Sequence, residues 1–237
     1  MRHPVRLGGR TSSGKHSFTF TSSKGSTLKN PRLKTALIGA VSIAALAVPA
    51  VAFADSDATS RGKPVPHNSD ASGDSRTRER ATLVRDGNYV VVTVKVKGAS
   101  PGLVHAQHIH GPGMHECPGI GRDVNHDGLI DTSEGAPDYG PVVVSLTTSG
   151  DTSPASTLAV DRFPTANSNG RYTYTRKLQI GTEIPTSVAN DLDDFHIVAH
   201  GIDTNHNGMY DFSKGKSDLN PALPQEATVP ATCGLIK

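Results

Sequence analysis

One segment in the first half of the chain alternates aliphatic and polar residues with a period of two, the repeat of a β-strand with one buried side. Within residues 88–97, Val90, Val92, Val94 and Val96 fall on the same face. Further strands are predicted at 81–85, 141–147, 171–180 and 194–200, separated by segments rich in Gly and Pro, and only 185–192 carries a helical pattern. We therefore expect an all-β fold, a Greek-key immunoglobulin-like sandwich or barrel whose long loops carry the function.

The first 54 residues predict export. Residues 1–34 hold eight Lys or Arg residues and no acidic ones, and residues 36–54 are uncharged and end in the small-x-small site Ala52-Phe53-Ala54. We predict a signal peptide with an extended basic n-region over residues 1–54, cleaved after Ala54, and hence a secreted protein without a stable membrane span. An uncleaved membrane anchor is the alternative, because about 20 apolar residues can cross a bilayer.

Removal of this leader reverses the net charge of the chain. The whole sequence has 24 basic and 22 acidic residues, whereas residues 55–237 keep 16 of the basic residues and all 22 acidic ones, a net charge of −6. An acidic chain without a basic cluster argues against nucleic acid as a partner. Residues 55–78 are polar throughout and predict a disordered linker. Residues 79–237 have the length of one ordinary domain.

The histidines cluster in two places. His108 and His110 are two positions apart on an expected strand and share a face, as do His196 and His200 further along the chain. Imidazole nitrogens suit copper and zinc. We predict a transition-metal site at His108, His110 and His200, with His126 and His196 as further candidate ligands. The alternative for each histidine is a surface or hydrogen-bonded residue with no ligand role.

Residues 123–134 match the twelve-residue calcium loop of EF-hand proteins. The candidate ligands are Asp123, Asn125, Asp127, the Leu129 carbonyl, Asp131 and Glu134, with Gly128 at the tight turn. Hard oxygen donors around one point favour calcium. The flanking residues 117–121 and 135–141 contain Gly and Pro, so we expect no helix on either side of the loop.

A second oxygen-rich loop follows the later histidine pair. Its candidate calcium ligands are Asp203, Asn205, Asn207 and Asp211, but Lys214 stands where the loop pattern requires a bidentate Glu. The alternative is an Asn-Gly turn that is held by its own side-chain hydrogen bonds.

Three separated segments resemble the Cu/Zn superoxide dismutases. Gly98-Ala-Ser-Pro-Gly-Leu-Val-His-Ala-Gln-His-Ile-His resembles the turn and strand that carry the copper-binding His-x-His of that family. Ile197-Val-Ala-His200 is similar to a later strand that ends in another copper ligand, and Cys233-Gly-Leu-Ile is similar to the C-terminal strand. This resemblance covers roughly residues 85–237. The same features also resemble the chordin-like (CHRD) domains of bacterial secreted proteins, which share a His-Ile-His-Gly segment.

The resemblance implies a sandwich of the dismutase type, copper at His108, His110 and His200, and a disulfide between Cys117 and Cys233. Two free thiols are the alternative for the cysteines. The chain departs from the dismutases at two points. Pro230 stands where they carry an arginine that guides superoxide, and Arg122 and Arg162 are the candidate replacements for that arginine. In place of the histidine-rich zinc loop of the dismutases, this chain has residues 115–134.

These observations favour a secreted metal-binding domain, non-catalytic or weakly catalytic, that holds copper or zinc together with calcium and contacts cell-wall or extracellular partners. A copper-dependent extracellular superoxide dismutase is the alternative function. A third reading is a structural domain whose loops are held by calcium alone.

Overall fold

The computed structural model describes residues 57–66, 68 and 76–237, all within one structural unit, Val51–Lys237. The predicted signal peptide and its cleavage site at Ala54 lie outside the described residues. Among the described residues, no helix has the length and apolar character needed to cross a membrane.

The described residues form nine strands in two antiparallel sheets. In chain order they are β1 (Ala58–Ser60), β2 (Lys63–Pro64), β3 (Arg78–Asp86), β4 (Tyr89–Lys97), β5 (Gln107–His110), β6 (Val142–Ser145), β7 (Arg171–Gln179), β8 (His196–His200) and β9 (Pro230–Leu235). The first sheet has the order β1-β3-β4-β7 and the second the order β2-β9-β8-β5-β6. The mainly β class predicted from the sequence is therefore confirmed.

The valine face of β4 packs into the space between the two sheets. Val90, Val92 and Val94 are fully buried, and they share one apolar cluster with Ile109 of β5 and Ile197 of β8. Because both sheets contribute side chains to this cluster, the arrangement is sandwich-like, with the core between the layers. The period-two prediction for residues 88–97 is confirmed.

Two short strands occupy part of the predicted disordered linker. β1 pairs with β3 and β2 pairs with β9, so the chain passes from the first sheet to the second between them. The linker prediction for 55–78 is wrong for residues 57–66, because pairing through the backbone requires few apolar side chains. Residues 67 and 69–75 lie outside the described part of the chain.

In the described part of the chain, three short α-helices and five single-turn 3-10 helices join the strands. The α-helices are α1 (Thr132–Tyr139), α2 (Thr186–Asn190) and α3 (Gln225–Thr228). α2 lies in the segment predicted as helical, whereas α1 overturns the expectation that no helix follows the 123–134 loop. Asp131 and Glu134 form a capping box at the start of α1. The box satisfies backbone N–H groups of the first turn and so stabilises the helix, although Pro137 inside it has no N–H group to donate.

Cys117 and Cys233 are disulfide-bonded, as the resemblance implied. Their Cα atoms lie 5.6 Å apart, and 116 positions separate them in the chain. The bond ties the loop that follows β5 to the C-terminal strand β9, next to the strands that carry the histidines.

Candidate metal centre

The two central strands of the second sheet carry the three histidines predicted to share a metal. β5 and β8 pair with each other, and every residue in both is buried. Ile109 and Ile197 face the core between the sheets. Because side chains alternate along a strand, His108, His110 and His200 point to the opposite face. One nitrogen from each ring lies within 4.8 Å of the others, so the predicted convergence is confirmed.

Local irregularities in the sheet turn two of these rings toward the group. The strand register shifts at His110 in the β5–β6 pair and at His200 in the β8–β9 pair, and such bulges re-aim side chains. A glycine follows each histidine with a positive φ, 143° at Gly111 and 98° at Gly201. A Cβ atom at Gly111 would lie 2.6 Å from the Phe195 ring, and one at Gly201 would collide with the Tyr210 hydroxyl. A residue with a side chain would therefore not fit after either histidine, and both positions require glycine.

A backbone carbonyl fixes the tautomer of each ring. The contacts are His108 Nε2 to Thr157 O at 3.1 Å, His110 Nδ1 to Gly140 O at 2.9 Å and His200 Nδ1 to Thr228 O at 2.7 Å. Since a carbonyl can only accept, the nitrogen that faces it carries the proton. The other nitrogens, His108 Nδ1, His110 Nε2 and His200 Nε2, are buried and have no hydrogen-bond partner among the described residues. Three lone pairs are thus left for a common ligand.

Burial keeps all three rings neutral at physiological pH. It lowers the pKa of His110 to about 3 and that of His200 to about 4. Burial also lowers the pKa of His108 well below its ordinary value, and the neighbouring His200 and His110 lower it further. Neutral imidazoles whose second nitrogen is held by a carbonyl are the usual form of histidine ligands to copper and zinc. The donor set therefore fits such an ion.

His196 lies on the same face of β8 but belongs to a second group. Its ring is fully buried, and its ligand atom lies within 4.8 Å of the sulfur atoms of Cys117 and Cys233. Because those sulfurs are joined to each other, they offer no thiolate to a metal. Burial, followed by the nearby His115, lowers the pKa of His196 to about 4.

His126 is brought to neither group in the part of the chain that the structure describes. It is exposed in the turn of the 123–134 loop, with a φ of 59°. The structure therefore brings together three of the five predicted transition-metal ligands.

The side chains of the first oxygen-rich loop bind its own backbone. Asp123 Oδ2 accepts from the Gly128 N–H at 3.2 Å and Asp127 Oδ1 from the Leu129 N–H at 2.9 Å, while Asn125 Oδ1 accepts from the Asp127 N–H. The carboxylate of Glu134 closes the loop. Its Oε1 accepts from the Val124 N–H at 2.8 Å and its Oε2 from the Asp131 N–H at 3.1 Å. Burial, with the nearby Asp218 as the next cause, raises the pKa of Asp131 to about 6.

The second loop repeats this arrangement, but its closing carboxylate comes from outside the loop. Asp203 Oδ2 accepts from the Gly208 N–H at 2.8 Å. Glu226 of α3 then takes the place that Glu134 has in the first loop, since its Oε1 accepts from the Thr204 N–H and its Oε2 from the Asp211 N–H, both at 2.9 Å. Sequence analysis missed Glu226 because it lies outside the loop pattern, and no local motif points to it.

A cavity of about 370 Å³ opens over the three-histidine group. Both arginines suggested as replacements for the dismutase arginine are engaged elsewhere. Arg122 Nε donates to Asp138 Oδ2 at 2.8 Å, and Arg162 donates to the carbonyls of Ser149 and Asp151. Neither of them lines the cavity.

No protein-family model matches the chain, and no curated protein matches it. The site itself can perform one kind of chemistry. Three neutral imidazoles that line a cavity offer the nitrogen donors that copper and zinc prefer.

Proposed function

We propose that the protein is a secreted β-sandwich domain that holds copper or zinc at His108, His110 and His200. One observation carries the proposal: the three buried rings each bring one ligand atom within 4.8 Å of the others, and each ring has one buried nitrogen without a hydrogen-bond partner among the described residues. Leaving one buried polar atom unsatisfied typically costs ~1–3 kcal/mol, and this group has three. A metal ion satisfies all of them at once.

The relation to the dismutases and CHRD domains forms part of the proposal. Its support is the adjacency of β5, β8 and β9, which carry the His-x-His pair, the later histidine and the terminal cysteine in that order. The Cys117–Cys233 bond adds to this support. A Greek-key sandwich of the dismutase type is the fold that these features favour.

Metal binding without efficient turnover is favoured over dismutation. Pro230 is buried in β9, and the charged groups of Arg122 and Arg162 are bound elsewhere. Among the described residues that line the cavity, none carries a formal charge at neutral pH. Superoxide is an anion, and these side chains would give it no electrostatic guidance beyond the charge of the metal itself. Dismutase activity remains the second candidate because His108, His110 and His200 line a cavity that a small substrate could enter.

We also propose that calcium binds the loop at 123–134, through Asp123, Asn125, Asp127, the Leu129 carbonyl, Asp131 and Glu134. The supporting observation is that the carboxylates of Asp123, Asp127 and Glu134 all turn into the loop, where they accept hydrogen bonds from its backbone N–H groups. A divalent cation would relieve the repulsion between carboxylates confined to twelve residues. The loop at 203–211 is a second candidate, with Glu226 as the carboxylate that its own sequence lacks.

Secretion fits this function. A disulfide persists in oxidising compartments outside the cytosol, and Cys117–Cys233 is such a bond. The proposed partners are therefore metal ions together with cell-wall or extracellular molecules, and not nucleic acid.

The test measures metal content and superoxide turnover on the same secreted protein. After exposure to copper and zinc, the wild type should retain one ion per chain and show turnover near the background of the free metal. His110→Ala should lower the affinity at least about a hundredfold, because it removes a direct ligand, whereas His126→Ala should leave it unchanged. Equal metal retention by His110→Ala and wild type would overturn the assignment, and rapid turnover would favour the dismutase.

A further inference from the structure

We propose that the cavity over the three-histidine group binds a small neutral organic molecule with an apolar body and one donor atom that reaches the metal. This inference rests on the proposed metal site and names the class of molecule that the site takes. A metal-binding heteroaromatic nitrogen compound is its simplest representative.

The cavity is larger than a diatomic substrate requires. Its volume of about 370 Å³ lies within the ~300–1,000 Å³ range of small-molecule pockets. A water molecule, close in size to superoxide, fills only ~30 Å³ of liquid. The space accommodates a molecule of one or two rings above the histidines.

The walls of the cavity are aliphatic. Val142, Leu158 and Leu223 line it and are half-buried. Val160 and Leu219 also line it, and they keep 47% and 42% of their surface exposed. Large apolar side chains exposed around a concave opening are typical of a ligand-binding site. An apolar ligand would cover this surface and remove it from water.

The hydroxyl groups in the walls are already bound to the protein. Thr132 donates to the Thr228 carbonyl at 2.7 Å and Thr157 to the Pro154 carbonyl at 2.6 Å. The Ser133 hydroxyl donates to the Asp131 carboxylate at 3.2 Å. These side chains therefore offer little to a polar ligand, and the metal remains the main directional contact.

The walls of the cavity carry no charge that would hold an anion. No charged side chain lines the cavity among the described residues. The carboxylates of Asp131 and Asp218 both accept hydrogen bonds from Ser133, which forms part of the wall. A bound divalent ion attracts anions and neutral donors alike, so the preference for a neutral molecule with an apolar body comes from the walls.

The experiment uses the Co²⁺-loaded secreted protein, because the visible absorption of Co²⁺ reports its ligands. Imidazole, 4-phenylimidazole and azide are titrated separately, and the shift of the Co²⁺ bands gives each dissociation constant. We expect 4-phenylimidazole to bind at least tenfold more tightly than imidazole, because only its phenyl ring reaches the aliphatic walls. Azide should bind more weakly than 4-phenylimidazole, because it leaves the aliphatic walls exposed to water.

A matched pair of variants locates the effect. Leu223→Asn should remove most of the advantage of 4-phenylimidazole and leave imidazole binding unchanged, while Ile120→Asn, at an exposed position outside the cavity, should change neither. Intact Co²⁺ bands in both variants show that they are folded. Equal affinities for the two imidazoles, or tightest binding of azide, would overturn the ligand proposal alone. Absence of Co²⁺ bands that depend on His200 would overturn the metal site, and this inference with it.

Discussion

The three-histidine group and the 123–134 loop are both candidate metal sites, but they differ in what their donor atoms do without a metal. In the loop, the carboxylate oxygens of Glu134 and Asp127 already accept hydrogen bonds from backbone N–H groups. In the histidine group, three buried nitrogens have no such partner among the described residues. The loop can therefore keep its conformation without an ion, whereas the histidine group pays a desolvation cost until an ion arrives.

The largest expected effect concerns the disulfide that joins the two regions, since Cys117 precedes the loop and Cys233 lies in β9 beside the histidine strands. Loss of the bond in a Cys117→Ser, Cys233→Ser double variant should lower the free energy of unfolding by ~4–5 kcal/mol, because a loop of over 100 residues is no longer closed in the unfolded chain. Denaturant unfolding at equilibrium measures it. A change below about 1 kcal/mol would mean that the bond contributes little to holding the regions together.

Glu79 is an acidic residue that is buried in the first sheet, away from both candidate metal sites. Burial raises the pKa of Glu79 from 4.5 to about 8, and Ser60 only partly offsets this. The folded state therefore holds a proton that the unfolded state has lost, so this group's contribution to stability is full below pH 4.5 and is lost as the pH rises to about 8. Glu79→Gln should raise the free energy of unfolding at pH 7 by up to about 3 kcal/mol and flatten its pH dependence.

The control for this prediction is Glu116→Gln, at an exposed position, which should leave the pH profile as in wild type. If Glu79→Gln follows the wild-type profile between pH 5 and 8, the carboxyl group is ionised in the folded protein.

Calcium binding at the 123–134 loop should stabilise the protein against thermal unfolding. Because a ligand of the native state stabilises by RT ln(1 + [L]/Kd), a hundredfold excess over Kd should add ~2.7 kcal/mol and raise Tm by several degrees. Asp127→Ala should lose most of this shift, while Asp161→Ala, an exposed acid outside both loops, should keep it. Identical thermal melts in calcium and in chelator would leave the loop as a turn held by its own hydrogen bonds.

The smallest expected effect compares the two loops with each other. In calcium-free buffer, Glu226→Gln should lower the free energy of unfolding by ~1–3 kcal/mol, because its buried carboxylate makes charge-assisted hydrogen bonds to Thr204 and Asp211. Glu134→Gln, at a less buried carboxylate with equivalent contacts, should cost less. Thermal melts of the two variants measure the difference, and a larger loss for Glu134→Gln would contradict it.

The sequence predicts the histidine group well because its geometry follows from strand periodicity. Two histidines on one strand and a third on its neighbour share a face once β5 and β8 pair, and only the pairing has to be supplied by the fold. The carbonyls of Thr157, Gly140 and Thr228 could not be predicted, because they come from loops far apart in the chain.

Three other features of the structure could not be predicted from local sequence patterns. Glu226 acts on a loop that ends before it, so the loop pattern does not include it. β1 and β2 are held by backbone pairing, which a scan for apolar side chains does not detect. α1 begins at a capping box, and the Gly and Pro residues inside the helix concealed that signal.

The most direct test of the central claim is the number of nitrogen atoms bound to copper. Pulsed electron paramagnetic resonance of the Cu²⁺-loaded protein should detect three imidazole nitrogens in the wild type and in His126→Ala. It should detect two in His200→Ala. A Cu²⁺ signal with one nitrogen or none, or one that is unchanged in His200→Ala, would contradict the assignment of His108, His110 and His200 as a metal centre.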